Sequence, residues 1–124
     1  MRHHLALLAL AAALAGCASA GKPAANTDNA VVHHVSAQDQ AATHATTPIT
    51  ADRVTLWVNG LGCPLCATNA DKQLKRLPGV LAVDTDLSTG KILVQLGTSR
   101  RPSPEQFSGA IADAGFTLVK IETH

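Results

Sequence analysis

The chain has 124 residues, a formal charge of +1, 46% hydrophobic and 15% charged residues, one tryptophan, two phenylalanines and three cysteines. That length allows one small domain and the segment leading into it. Near-neutral charge, with short basic clusters at Lys72, Lys75, Arg76 and Arg100-Arg101, does not make the cationic surface that nucleic-acid binding requires, so no nucleic-acid partner is expected.

Residues 1–20 read as an export signal: one positive charge at Arg2, an apolar run from Leu5 to Ala15, then small residues. At about 11 residues the run is too short to span a bilayer as a helix. Leu14-Ala15-Gly16-Cys17 resembles the lipobox of bacterial lipoproteins, in which the cysteine is acylated and becomes the mature N-terminus. It matches at every position and is preferred over the alternative, an ordinary signal cut after Ala18-Ser19-Ala20. Either way the chain is exported. Lipid on Cys17 would anchor it to a membrane facing the periplasm, each buried methylene contributing about 0.8 kcal/mol. By resemblance to Gram-negative sorting patterns, Ala18 after the cysteine favours the outer membrane.

Residues 21–50 are rich in Ala, Asn, Thr, Ser and Gln, with two prolines and no sustained apolar period. They read as a flexible tether. His33, His34 and His44 lie in it and are weak candidate metal ligands, although histidines on a polar segment are more commonly just solvated.

Residues 51–124 read as one domain. Val54, Leu56 and Val58 alternate with polar neighbours and Trp57 to give a half-buried strand at 53–59. Cys66, Ala70, Leu74 and Leu77 recur at helical spacing from Pro64, and Pro78-Gly79 closes that helix. Val83 to Leu87 and Ile92 to Leu96 flank Ser88-Thr89-Gly90 as a hairpin. Ser103-Pro104-Glu105-Gln106 is a capping box ahead of Phe107, Ala110, Ile111 and Ala114, and a last strand follows at 116–121. The order β-α-β-β-α-β suits an α+β, ferredoxin-like sandwich, an antiparallel sheet with both helices on one face. The expected core is Leu56, Val58, Leu74, Leu77, Val83, Ile92, Val94, Phe107 and Ile111. Trp57 is expected on the opposite face with Val119 and Ile121, where an exposed apolar patch would mark an interaction module, and a tryptophan covering the sheet or touching the tether is the plainer reading.

The chemistry concentrates in Gly60-Leu61-Gly62-Cys63-Pro64-Leu65-Cys66, which places two thiols one helical turn apart where a strand passes into a helix. Backbone N–H groups and the helix macrodipole favour thiolate there, the form that binds soft metals. No Ser/His/Asp set, paired acids or phosphate-cradling glycine loop supports an enzyme, and Asp84 and Asp86 read as surface residues of the hairpin.

From Val58-Asn59-Gly60 through the cysteine motif, Leu77-Pro78-Gly79-Val80, Ser88-Thr89-Gly90-Lys91, Ser103-Pro104-Glu105 and Ala114-Gly115-Phe116, the domain resembles the heavy-metal-associated family. That family includes copper chaperones, N-terminal modules of metal-transporting P-type ATPases and periplasmic mercury-binding proteins. The resemblance implies that Cys63 and Cys66 bind a soft metal through two thiolates and pass it on by ligand exchange, with a metal-transporting ATPase or another metal-transfer protein as partner. Gly60, Leu61, Gly62, Pro64 and Phe116 would shape the loop around them. Leu61 stands where the family usually has a methionine that packs beneath the loop, a nearly volume-conserving change. Phe116 matches the aromatic of many bacterial members, where eukaryotic chaperones carry lysine. Cu(I) is the favoured metal and Hg(II) the second; Zn(II) wants four ligands, and Gly62 stands where zinc-exporting relatives often have aspartate. A thiol-disulfide oxidoreductase is the alternative use of a CxxC pair, but thioredoxin-like motifs carry an aromatic directly before the first cysteine and need a longer fold.

Overall fold

The computed structural model describes residues 30–124, so the expected export signal and Cys17 lie outside the described residues. A short helix α1 (Ala37–Ala42) precedes β1 (Arg53–Asn59), α2 (Pro64–Leu74), β2 (Val80–Asp86), β3 (Lys91–Leu96), α3 (Pro104–Asp113) and β4 (Thr117–Thr123). The strands form one antiparallel sheet in the order β2-β3-β1-β4, and from β1 onward the chain follows the β-α-β-β-α-β order.

Local chemistry places these elements. Pro64 and Pro104 open α2 and α3 at positions where a missing N–H costs nothing. The Ser103 hydroxyl accepts the Gln106 N–H while the Gln106 side chain accepts the Ser103 N–H, the reciprocal cap. Asp86 takes the Ser88 N–H and the Ser88 and Thr89 hydroxyls, closing the β2–β3 turn; these bonds hold its carboxyl below the usual range. Alternate residues of β1 and β3, Val54, Leu56, Val58, Ile92, Val94 and Leu96, are buried beneath Ala70 and Leu74 of α2 and Phe107 and Ile111 of α3. Leu77 and Val83 pack against this core while only partly buried.

Two expectations are corrected. The flexible-tether reading fails over residues 30–50, which form a strap on the domain. Ser36 caps α1, which packs against β4; Thr43 is fully buried with its hydroxyl donating to the Gln40 carbonyl at 2.7 Å. Ile49 enters the core and its N–H donates to the Pro102 carbonyl at 3.0 Å, while the Glu105 N–H donates to Ala45. Isolated insertions of this kind have no period, so composition alone reads as linker. Secondly, Trp57, Val119 and Ile121 do not make an apolar patch. A bulge between Trp57 and Val58 sets Lys120 opposite Trp57 and Ile121 opposite Leu56, so Ile121 packs against the core and Val119 is buried. Trp57 is half-buried under the His33 ring at 5.0 Å, with Lys91 and Lys120 ammonium groups 4.0 and 5.0 Å from its ring and its indole N–H donating to Glu122 at 3.0 Å. The strap touches Trp57, which is the plainer of the two readings.

Candidate metal centre

At the end of β1 the chain must leave the sheet and start α2 within four residues, and each of the four has a distinct task. Gly60 has φ of 91°, a conformation that side chains rarely adopt, and the Phe116 ring lies 3.5 Å from where a Cβ would stand. Leu61 is fully buried in the core and anchors the loop from below, the position assigned to it from sequence. Gly62 lies against Ala30 of the strap, too close for a side chain to be added without a shift. Cys63 is the N-cap of α2, extended at φ −141° and ψ 154°, and its carbonyl accepts the Ala67 N–H at 3.1 Å.

The Cys63 sulfur accepts the Cys66 N–H at 3.1 Å, so it performs the capping role that a serine hydroxyl performs at Ser103. The two sulfurs are bonded to each other as a disulfide, with their Cα atoms 5.0 Å apart. Cys63 is partly exposed, and Cys66 packs against the core. Phe116, directly before β4, lines an open depression of about 390 Å³ with Cys63, Leu65, Cys66, Thr68, Asn69 and Lys72. It also packs, partly buried, against the core. The Asn69 amide donates to the Ala114 carbonyl at 2.9 Å and ties α2 to the turn that delivers Phe116.

Leu65 is 78% exposed beside the cysteines, and Lys72 is the basic residue at the depression. The basic residues just after α2 are engaged: Lys75 pairs with Asp71 at 2.8 Å, and Arg76 donates to Gln73 at 2.9 Å. Among the described residues no three His, Cys, Asp or Glu side chains gather as a metal-binding group. The candidate histidines are accordingly not assembled: His33 lies tilted against Trp57 with its Nε2 3.3 Å from the Gly90 carbonyl oxygen, and His34 and His44 are exposed. Sequence reasoning missed the contact of Ala30 and Val31 with the loop, for which the sequence carries no periodic signal.

The family model described as the heavy-metal-associated domain matches residues 55–117. Among solved structures, the chain is 30% identical to a CopZ metallochaperone, with a TM-score of 0.50, covering 54% of this chain and 98% of that one. It is 30% identical to oxidized MerP from Ralstonia metallidurans CH34, with a TM-score of 0.48, covering 53% of this chain and 90% of that one. It is 27% identical to the yeast copper transporter domain Ccc2a, with a TM-score of 0.49, covering 58% of this chain and 100% of that one. No curated protein matches. With the observed strand and helix order running through a match that spans half of its length, this chain belongs to the heavy-metal-associated domain family.

Proposed function

We propose that the protein binds one soft metal ion, Cu(I) in preference to Hg(II), between Cys63 and Cys66 and hands it to a second thiolate-bearing protein by ligand exchange. One observation carries this reading: two sulfurs at the N-terminus of α2, beside an open depression and without a third His, Cys, Asp or Glu gathered to them among the described residues. Two soft donors suit a metal content with two ligands, whereas a structural zinc site requires four. The similarity to a structure named as a metallochaperone supports the carrier role. The disulfide must open first, taking two electrons and two protons from a thiol reductant to leave two cysteines. Deprotonation then supplies the thiolates, and the Cys66 N–H directed at Cys63 favours negative charge on that sulfur.

Transfer to a membrane ATPase module or another metal-transfer protein would proceed through a state in which thiolates of both proteins share the ion, each bond forming before another breaks. Exposed Leu65 and Lys72 stand where such a partner would approach. Lipid on Cys17 would hold the protein at a periplasmic membrane face. Only 12 residues lie between Cys17 and Ala30 beside the cysteine loop, at most roughly 45 Å of extended chain. Cys17→Ala would then yield an unacylated, incompletely processed chain; a lipid-free mature N-terminus at Gly21 in the wild type would establish ordinary signal cleavage instead.

The deciding experiment competes the anaerobically reduced protein against a Cu(I) chelator. Wild type should retain one Cu(I) per chain, and Cys63→Ser and Cys66→Ser should each lose most of it. Equal retention by the double variant would place the site elsewhere. The observed disulfide favours a second reading, thiol-disulfide exchange. Catalytic reduction of insulin that depends on both cysteines, without metal transfer, would establish it.

A further inference from the structure

We propose that residues 30–34 are a latch that holds the cysteine loop in the conformation of this structure, with Asn59 as the positioning residue; that the same conformation receives the metal after the disulfide opens rests on the carrier reading above. The strap meets the loop on both sides of Leu61. On one side, the Asn59 side chain accepts the His33 N–H at 2.7 Å and donates to the His33 carbonyl at 3.4 Å, so one amide satisfies both backbone groups of a strap residue. Next to it the Gly60 N–H donates to the Val31 carbonyl at 3.4 Å. On the other side Ala30 lies against Gly62, directly before Cys63. The His33 ring, on Trp57 and at the Gly90 carbonyl, secures the same segment to the sheet.

The loop is therefore held from inside by the buried Leu61 and from outside by the strap. Without the strap, Gly60 and Gly62, which have the widest conformational freedom of any residue type, regain it, and binding must order them again. Ordering the backbone of a single residue corresponds to roughly tenfold in affinity. The coupling is reciprocal: a locked loop holds the strap, and a partner that lifts the strap loosens the ion. The strap lies outside the matched residues 55–117, so this control would be an addition of this chain to the family domain.

The test uses the full chain, reduced by a thiol reductant under anaerobic conditions, as wild type, Asn59→Ala, His33→Pro and Val32→Ala. Asn59→Ala removes the clamp. His33→Pro removes the clamped N–H and the ring from outside the core, which keeps the test decisive if Asn59→Ala disturbs folding. Val32, 61% exposed, is the strap control. Amide exchange should accelerate together at residues 30–34 and 60–62 in the first two variants, iodoacetamide should alkylate the cysteines several-fold faster, and Cu(I) retention against a chelator should fall roughly tenfold. Val32→Ala should match wild type. Free exchange of residues 30–34 in the wild type would overturn the latch, as would a released strap beside a loop with wild-type exchange and alkylation. If wild type retains no Cu(I), the carrier reading fails, and exchange and alkylation still decide the latch.

Discussion

The Cys66 N–H points at the Cys63 sulfur at 3.1 Å, so the first candidate ligand also caps the helix that carries the second. Site and fold are thereby joined at one atom, and substitutions can separate them. Serine keeps a capping acceptor, alanine does not. Cys63→Ser should lose Cu(I) binding yet unfold close to the reduced wild type, while Cys63→Ala should lose binding and a further ~1 kcal/mol of stability. Chemical denaturation of the reduced proteins measures the difference. In the reduced wild type, Cys63 should be alkylated faster than Cys66, because Cys66 packs against the core.

Phe116 links the depression to the core, lying 3.5 Å from the position of a Gly60 Cβ and lining the same hollow as both sulfurs. Phe116→Ala should cost about 1–3 kcal/mol, less than a fully buried phenylalanine, because the ring is only partly covered. It should also speed metal transfer to a competing chelator. Phe116→Leu, which restores much of the apolar volume, should recover most of the stability and less of the retention. Stopped-flow transfer and urea denaturation read the two effects separately.

Ile49 is 7% exposed within the core although it precedes β1. Ile49→Ala should destabilise the domain by about 2 kcal/mol and lower Tm by roughly 10 °C. A chain beginning at Ala51 should show a loss at least as large, because it also lacks buried Thr43 and the Ile49 N–H bond to Pro102. Calorimetry of the two chains would give equal Tm values to wild type if residues 30–50 were only a tether.

The indole N–H of Trp57, with Lys120 and Lys91 nearby, holds the Glu122 carboxyl below the usual glutamate range, against the smaller opposing effect of burial. A carboxyl whose folded value is depressed stabilises the fold above its unfolded value, and that contribution is lost as pH falls through the folded one. Wild type should therefore exceed Glu122→Gln in Tm at neutral pH, and the gap should close on acidification below the ordinary glutamate range. Trp57 fluorescence should change over the same acid range in wild type and stay flat in the variant. Because Glu122 is partly exposed to solvent, which screens its charge, the gap should be small.

Signals that act over a few residues were legible without coordinates. The alternation at Val54, Leu56 and Val58, the proline starts of α2 and α3, the Ser103–Gln106 cap and the two cysteines one turn apart determine elements and candidate site, because each is decided by backbone geometry within one turn or strand. The buried Leu61 was foreseen by resemblance alone. Tertiary structure decided what depends on distant partners. Thr43, Ile49 and His33 are single insertions from a polar segment, and they find the sheet and core only after β1, β4 and α3 have created the surfaces that receive them. The bulge at Trp57/Val58 likewise belongs to the pairing of two strands some sixty residues apart, and a one-residue shift there sends Ile121 to the core side and brings Lys120 beside Trp57.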